Sequence, residues 1–210
     1  MTIAQSLVAF TVAALLMAMT PGLDTALVLR VAAIEGTRRA VLATLGIASG
    51  CLVWGAAVAL GLGMLMAQSA VAFGVVKLAG ATYLAWLGLG MLLRPRSAMA
   101  LPEGMEAGKG SSRTTWFWKG LFSNLLNPKV GVFYLSFLPQ FVPQGVATGP
   151  FTMLLAAIHA GLGFGWCCCL AMATQPLARL LRRPRVMRWL DRVTGCVFLA
   201  FGARLVLARQ

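Results

Sequence analysis

The sequence is poor in the side chains from which metal centres and redox sites are built. Its one histidine, His159, has no second histidine or acidic residue three or four positions away, so a zinc site is not expected. The five cysteines include no Cys-x-x-Cys pair, and the adjacent Cys167, Cys168 and Cys169 would point in different directions around a helix. We therefore expect the cysteines to be packing residues, with no catalytic site, cofactor or metal.

Acidic residues are also scarce. Five Asp and Glu stand against 18 Lys and Arg, for a net charge of +13, and only 11% of the 210 residues are charged while 60% are hydrophobic. A soluble domain of this size needs far more polar surface, so the sequence predicts a membrane protein. Few carboxylates also disfavour a transporter of metal ions, which would need several intramembrane oxygen ligands, although this alternative stays open beside a thiol-disulfide carrier.

Long apolar runs divide the chain into six predicted spans. Stretches of about 18 or more mostly apolar residues cross a hydrocarbon core of about 30 Å, and they occupy residues 3–34, 40–67, 70–93, 116–142, 148–174 and 189–208. The first is too long for one straight crossing, which predicts a bend at Pro21. Because it lacks a basic leading region, we expect this span to be retained rather than cleaved as a signal peptide.

Most basic residues lie in alternate connections between the spans. The first, third and fifth connections are rich in arginine and lysine, whereas the second and fourth carry none. The positive-inside rule makes the basic connections cytoplasmic and both termini external, so the charge reflects topology rather than nucleic-acid binding. Trp116, Trp118 and Trp189 beside these charges predict interfacial anchors.

Six spans with both ends outside divide into two halves of three, and an odd number of spans inverts the second half. The predicted fold is therefore an all-α membrane domain of residues 1–210, with six transmembrane helices in two inverted repeats. Repeat 1 covers about residues 1–93 and repeat 2 about residues 116–210. The linker of about residues 94–115 is rich in Gly, Pro and Ser.

One proline and one charge interrupt the first span of each half. Pro21 and Gly22 precede Asp24, and Pro128 precedes Lys129. A proline within a helix removes a backbone hydrogen bond, and the carbonyls that it frees need partners in hydrocarbon. Interrupted helices at corresponding places in two halves indicate the substrate site of a secondary transporter.

Both charges are predicted at the same depth. Asp24 stands eleven residues before Glu35, and Lys129 stands ten residues after Lys119. At about 1.5 Å per residue, each lies roughly 15 Å from the cytoplasmic boundary. We therefore expect the two side chains to face each other near mid-membrane.

Four segments carry a family resemblance. They are Pro21-Gly22-Leu23-Asp24, Gly80-Ala81-Thr82-Tyr83-Leu84, Leu126-Asn127-Pro128-Lys129 and Phe137-Leu138-Pro139-Gln140-Phe141. Together they resemble the LysE superfamily, in its homoserine and threonine efflux (RhtB-type) branch, although Leu23 stands where that family commonly has a second proline. The resemblance implies a proton-coupled antiporter that exports amino acids or close relatives across a bacterial inner membrane.

An amino-acid substrate suggests roles for the polar residues at the breaks. Asp24 would bind the ammonium or carry the proton, Lys129 would bind the carboxylate, and Asn124 and Asn127 would add hydrogen bonds. The alternative is a buried salt bridge between Asp24 and Lys129 that joins the halves and never touches substrate.

Other polar and aromatic residues have two interpretations each. His159 is either a proton relay or a packed, hydrogen-bonded side chain, and Lys77 either binds substrate or extends to the outer interface. Tyr83 and Trp86 either line the substrate path or pack. Besides the substrate, membrane lipid is the expected partner, and a homo-oligomer is compatible with the sequence.

Overall fold

The computed structural model describes residues 2–68, 78, 81–82, 85–86, 88–95, 113–173 and 183–207. Within these ranges the chain forms helices and turns without strands. The helices are α1 (Ile3–Met19), α2 (Leu23–Ile34), α3 (Thr37–Gln68), α4 (Arg113–Leu125), α5 (Pro128–Val132), α6 (Thr148–Met172) and α7 (Pro184–Leu207). A π-helical turn (Phe133–Phe137) and a 3-10 turn (Leu138–Phe141) follow α5, and residues 88–93 are helical. Lys77 and Tyr83 lie outside the described residues.

The predicted bend at Pro21 is confirmed. α1 ends with Thr20 in an extended conformation and α2 begins after Gly22, so the two helices meet at an angle of 52°. Pro21 has no N–H to continue the ladder of α1. Asp24 consequently lies in the first turn of α2, where the helix dipole favours a negative charge.

A second interruption separates α4 from α5. Asn127 is the N-cap of α5, and its side-chain oxygen accepts a hydrogen bond from the Lys129 N–H at 3.1 Å. The backbone N–H of Asn127 donates to the Asn124 carbonyl at 3.1 Å, the acceptor that Pro128 would use in a continuous helix. The freed backbone groups of this break are thus satisfied locally.

Among the helices that the structure describes, two are individually long and apolar enough to cross a membrane: α3, through its residues Thr37–Gly61, and α6. The bent pair of α1 and α2 supplies a third crossing if it is counted as one span. Much of the predicted third span lies outside the described residues. The six-span inverted repeat therefore stays a prediction.

α3 is the central helix and packs most extensively against α4 and α6. Glycines allow this approach, because a Cβ at Gly46 would overlap the Phe117 carbonyl and a Cβ at Gly120 would overlap the Ala43 backbone. Gly88 and Gly195 allow the same close approach between residues 88–93 and α7. Small residues are the usual means of close helix packing in membranes.

Trp116 is not the interfacial anchor that its position predicts. Only 3% of it is exposed, and it packs into a core cluster with residues of α2 and α3. Lys119 places its ammonium 4.2 Å from the Trp116 ring centre, while Trp118 and Trp189 are 51% and 61% exposed. Neighbouring basic residues indicate the level of a side chain along a helix, but not the face on which it lies.

Candidate functional site

The two helix breaks border one cavity of about 60 Å³. Its wall combines residues of α1, α2, α3, α4, α5 and α6 with the connecting residues of both breaks. The structure brings every described candidate polar side chain to this wall: Asp24, Asn124, Asn127, Lys129 and His159. Gly22 also lines the cavity, whereas Cys51 and Cys167 contribute thiols to its apolar side.

Asp24 of the first break is held by residues of the second half. Ser123 donates its hydroxyl to Oδ1 at 3.0 Å, and Asn124 donates Nδ2 to Oδ2 at 2.9 Å. The Asn127 side chain and the positive charge of Lys129 lie close enough to act on the same carboxylate. Because hydrogen bonds to a charged group are strong, these contacts fix the orientation of the carboxylate.

Lys129 of the second break binds the first break in return. Its Nζ donates to the carbonyl oxygens of Met17 at 3.3 Å and Thr20 at 3.0 Å. In a continuous helix, Met17 would accept from residue 21 and Thr20 from residue 24. Residue 21 is a proline without an N–H, so the lysine ammonium takes the place of the missing backbone donor.

The contacts of Asp24 and Lys129 are therefore reciprocal. The Asp24 carboxylate accepts hydrogen bonds from side chains of the second half. The Lys129 ammonium donates to backbone carbonyls of the first half. Each break thus receives contacts from the other half of the chain.

Asn124 has an unused acceptor beside its donor contact. Its Oδ1 is buried and has no hydrogen-bond partner among the described residues. Its Nδ2, besides binding Asp24, lies 3.5 Å from the Cys51 sulfur. A buried carbonyl oxygen without a donor is costly, and this one lies against Gly50 of α3.

His159 lies on α6 opposite these groups, 6% exposed. Its Nδ1 is 3.0 Å from the Tyr134 hydroxyl, and its ring centre is 4.9 Å from that of Phe133. It is thus hydrogen-bonded and packed, yet it also lines the cavity. Both sequence-based interpretations of this residue stay open.

Three groups at or near the site were not identified from the sequence. Ser123 was one, although the spacing of Ser123, Asn124 and Asn127 in an apolar stretch was a usable signal. A hydrogen bond between the Thr20 and Thr194 hydroxyls attaches α7 to the first break. Asp191, one turn before Thr194 on α7, is 1% exposed. Because acidic residues are rare in membrane-spanning segments, its position in an apolar stretch was a usable signal.

The sequence matches the family described as LysE type translocator over residues 15–209. The chain belongs to the LysE family. That membership confirms the resemblance drawn from the sequence motifs and, with the apolar helices, establishes a multi-pass membrane protein.

Relatives of this LysE family member cover nearly its whole length. It is 30% identical to a threonine efflux protein of Escherichia coli strain K12, over 91% of this chain and 92% of the relative. It is also 30% identical to a homoserine/homoserine lactone efflux protein of Salmonella typhimurium, over 96% of each. An uncharacterized membrane protein of Bacillus subtilis is 27% identical, over 97% and 100%. No solved structure matches this chain.

Proposed function

We propose that this protein is a secondary exporter of small amino acids or their close derivatives across the bacterial inner membrane. The observation that carries the proposal is the meeting of Asp24 and Lys129, from two separate helix breaks, at one buried cavity. The efflux relatives, named for threonine and homoserine, support the substrate class.

An amino-acid zwitterion needs an acceptor for its ammonium and a donor for its carboxylate. Asp24 provides the acceptor. Lys129 provides the donor, since its ammonium lies at the cavity and donates to the neutral backbone carbonyls of Met17 and Thr20. Substrate binding would then exchange internal hydrogen bonds for bonds to the ligand, which keeps the cost of desolvation low.

Asp24 is the group best placed to couple export to proton entry. It is the acidic side chain among the residues that line the cavity. A proton on Asp24 removes the charge that attracts a substrate ammonium, so proton and substrate compete for one site. In the proposed cycle, the two inverted halves rock around this site while both termini lie outside the cell.

The coupling role is tested with purified protein in lipid vesicles under an imposed pH gradient. We expect Asp24→Asn to lose uphill transport of L-threonine and to weaken exchange of labelled for unlabelled L-threonine, because the same carboxylate is proposed to hold the coupled proton and the substrate ammonium. Glu35→Gln is the matched control. Glu35 pairs with Arg39 at the end of α2, so its loss should leave coupling intact.

The outcomes separate the transport role from a purely structural ion pair. If Asp24→Asn drives uphill export at the wild-type proton ratio, Asp24 is not the coupling residue. If a well-folded Asp24→Asn variant loses uphill transport but exchanges L-threonine with the wild-type rate and half-saturation, the carboxylate carries the proton without binding the substrate ammonium.

A further inference from the structure

His159 is the only histidine of the chain, and one nitrogen of its ring is bound while the other is open. Nδ1 lies 3.0 Å from the Tyr134 hydroxyl. Nε2 has no hydrogen-bond partner among the described residues, yet it is not one of the fully buried polar atoms that lack a partner. Because His159 lines the central cavity whereas Tyr134 lies behind it, the open nitrogen faces that cavity.

The hydrogen of the Tyr134 hydroxyl determines which ring nitrogen carries the proton. Tyr134 is completely buried, so this hydrogen needs an acceptor within the protein. Two acceptors are close to it, His159 Nδ1 and the Cys51 sulfur. A thiol sulfur is a weak acceptor, and this one already lies 3.5 Å from Asn124 Nδ2. The hydroxyl therefore donates to Nδ1, which leaves a neutral imidazole with its proton on Nε2.

The segment that follows the second helix break positions both this ring and Lys129. Tyr134 belongs to the π-helical turn that continues α5, five residues after Lys129, and such turns are frequent at functional sites. Phe133 of the same turn packs against the imidazole, with the ring centres 4.9 Å apart. The positive charge of Lys129 is also close enough to act on His159. One short segment thus presents an ammonium directly and orients an imidazole N–H through Tyr134.

Two neighbouring donors match the two oxygens of a carboxylate. The Lys129 ammonium is a point charge that attracts any anion, whereas the N–H of a fixed imidazole ring donates in one direction. A neutral imidazole also adds no second buried cation, whose desolvation would be costly. An amino acid whose ammonium binds Asp24 would direct its carboxylate to these donors, since all three side chains line the same cavity.

We propose that His159 binds the substrate carboxylate through its Nε2–H, beside the Lys129 ammonium, and that Tyr134 is the positioning residue that holds the ring in this tautomer. This inference rests on the proposed function and adds to it a residue that recognises the carboxylate. The role differs from that of a proton relay, because the imidazole stays neutral and gains no proton during transport.

The tautomer is measured first, by NMR of the ligand-free protein. Because the chain has one histidine, protein labelled with ¹⁵N-histidine and purified without a histidine tag shows a single imidazole. At neutral pH we expect a protonated Nε2 and an unprotonated Nδ1, and a shift of the Nε2–H signal when L-threonine is added. Tyr134→Phe, which removes only the hydroxyl, should give a mixture of both tautomers. A proton on Nδ1 in the wild type would overturn the inference.

Binding affinity then tests the contact with the carboxylate. Titrations of purified protein in detergent compare L-threonine with its methyl ester, which keeps the ammonium but lacks the carboxylate charge. For His159→Leu we expect the Kd of L-threonine to rise about tenfold or more, as for the loss of a hydrogen bond to a charged group, and the Kd of the ester to stay unchanged. His159→Gln, which keeps an N–H near the position of Nε2, should recover most of the affinity. Leu154→Ala, at an exposed position of α6, is the control and should match the wild type for both ligands.

A merely structural role of His159 would weaken the binding of both ligands alike. That result, or an unchanged Kd of L-threonine in His159→Leu, would contradict the proposal. Should this variant fail to fold, Tyr134→Phe decides instead, because mixed tautomers with wild-type affinity for L-threonine would contradict it as well. A wild-type protein that binds neither L-threonine nor L-homoserine refutes the proposed substrates, whichever tautomer it contains, and so the two failures are distinguishable.

Discussion

At the scale of single residues, the orientation of Asp24 depends on a glycine that has no contact with it. A Cβ added to Gly50 would lie 2.6 Å from Asn124 Oδ1 and 2.9 Å from Asn124 Cβ. Asn124 occupies that space and from there donates to Asp24. A position on α3 that looks like ordinary close packing is therefore part of the support for the site.

Gly50→Ala should consequently impair both stability and transport. Overpacking of this kind costs about 1–3 kcal/mol, and displacement of Asn124 weakens its bond to Asp24. The control is Gly61→Ala on the same helix, where a Cβ would meet nothing within 4 Å and helix propensity gains about 0.5–1 kcal/mol. Thermal unfolding in detergent should show a lower Tm for Gly50→Ala alone. Equal Tm values for the two variants would contradict this account.

At the scale of elements, the first helix break is completed by a side chain from the second. Lys129 binds the Met17 carbonyl, which Pro21 leaves without its helical donor, and the Thr20 carbonyl at the same break. The break itself was predictable, because the effect of proline on a helix is local. The contact of Lys129 with this break was not predictable. Counting residues from the membrane boundary gives the depth of Lys129, but it does not give the helix face on which the side chain lies or the groups that it contacts.

A double-mutant cycle tests whether the Lys129 ammonium replaces the backbone donor that Pro21 lacks. Lys129→Met should destabilise the protein, because each buried carbonyl left unpaired costs about 1–3 kcal/mol. Pro21→Ala restores an N–H for the Met17 carbonyl, so it should recover part of that loss in the double variant, with a coupling energy of about 0.5–3 kcal/mol. Denaturant unfolding in detergent measures both effects.

Transport distinguishes the two roles of Lys129 in the same variants. If the lysine also binds the substrate carboxylate, the double variant regains stability without regaining transport. Strict additivity of the two stability changes would show that the ammonium does not replace the backbone donor.

At the scale of the whole molecule, corresponding elements of the two halves lie against each other. The two breaks share a cavity, α3 packs on α6, and residues 88–93 pack on α7 through Gly88 and Gly195. An inverted repeat with a two-fold axis through the site would produce these three pairings.

Apolar length and charge bias were enough to predict the helical membrane fold, whereas the face on which Trp116 lies depends on the neighbour it packs against.

The predicted inverted repeat has a testable consequence for sidedness. Arg38 precedes most of α3 and Gln144 precedes α6, and both are exposed. In intact cells, a membrane-impermeant thiol reagent should label Gln144→Cys from outside and should reach Arg38→Cys only after the membrane is permeabilised. Labelling of both from the same side would exclude the opposed orientation of the two halves.

In the proposed transport cycle, the contact of Lys129 with the Met17 and Thr20 carbonyls links substrate binding to the angle between α1 and α2. A substrate carboxylate bound to the Lys129 ammonium would withdraw it from these two oxygens. The first break would then satisfy them only by changing its angle or by admitting water. An empty carrier would therefore be stiffer at this break than a loaded one, which would restrain conformational exchange in the absence of substrate.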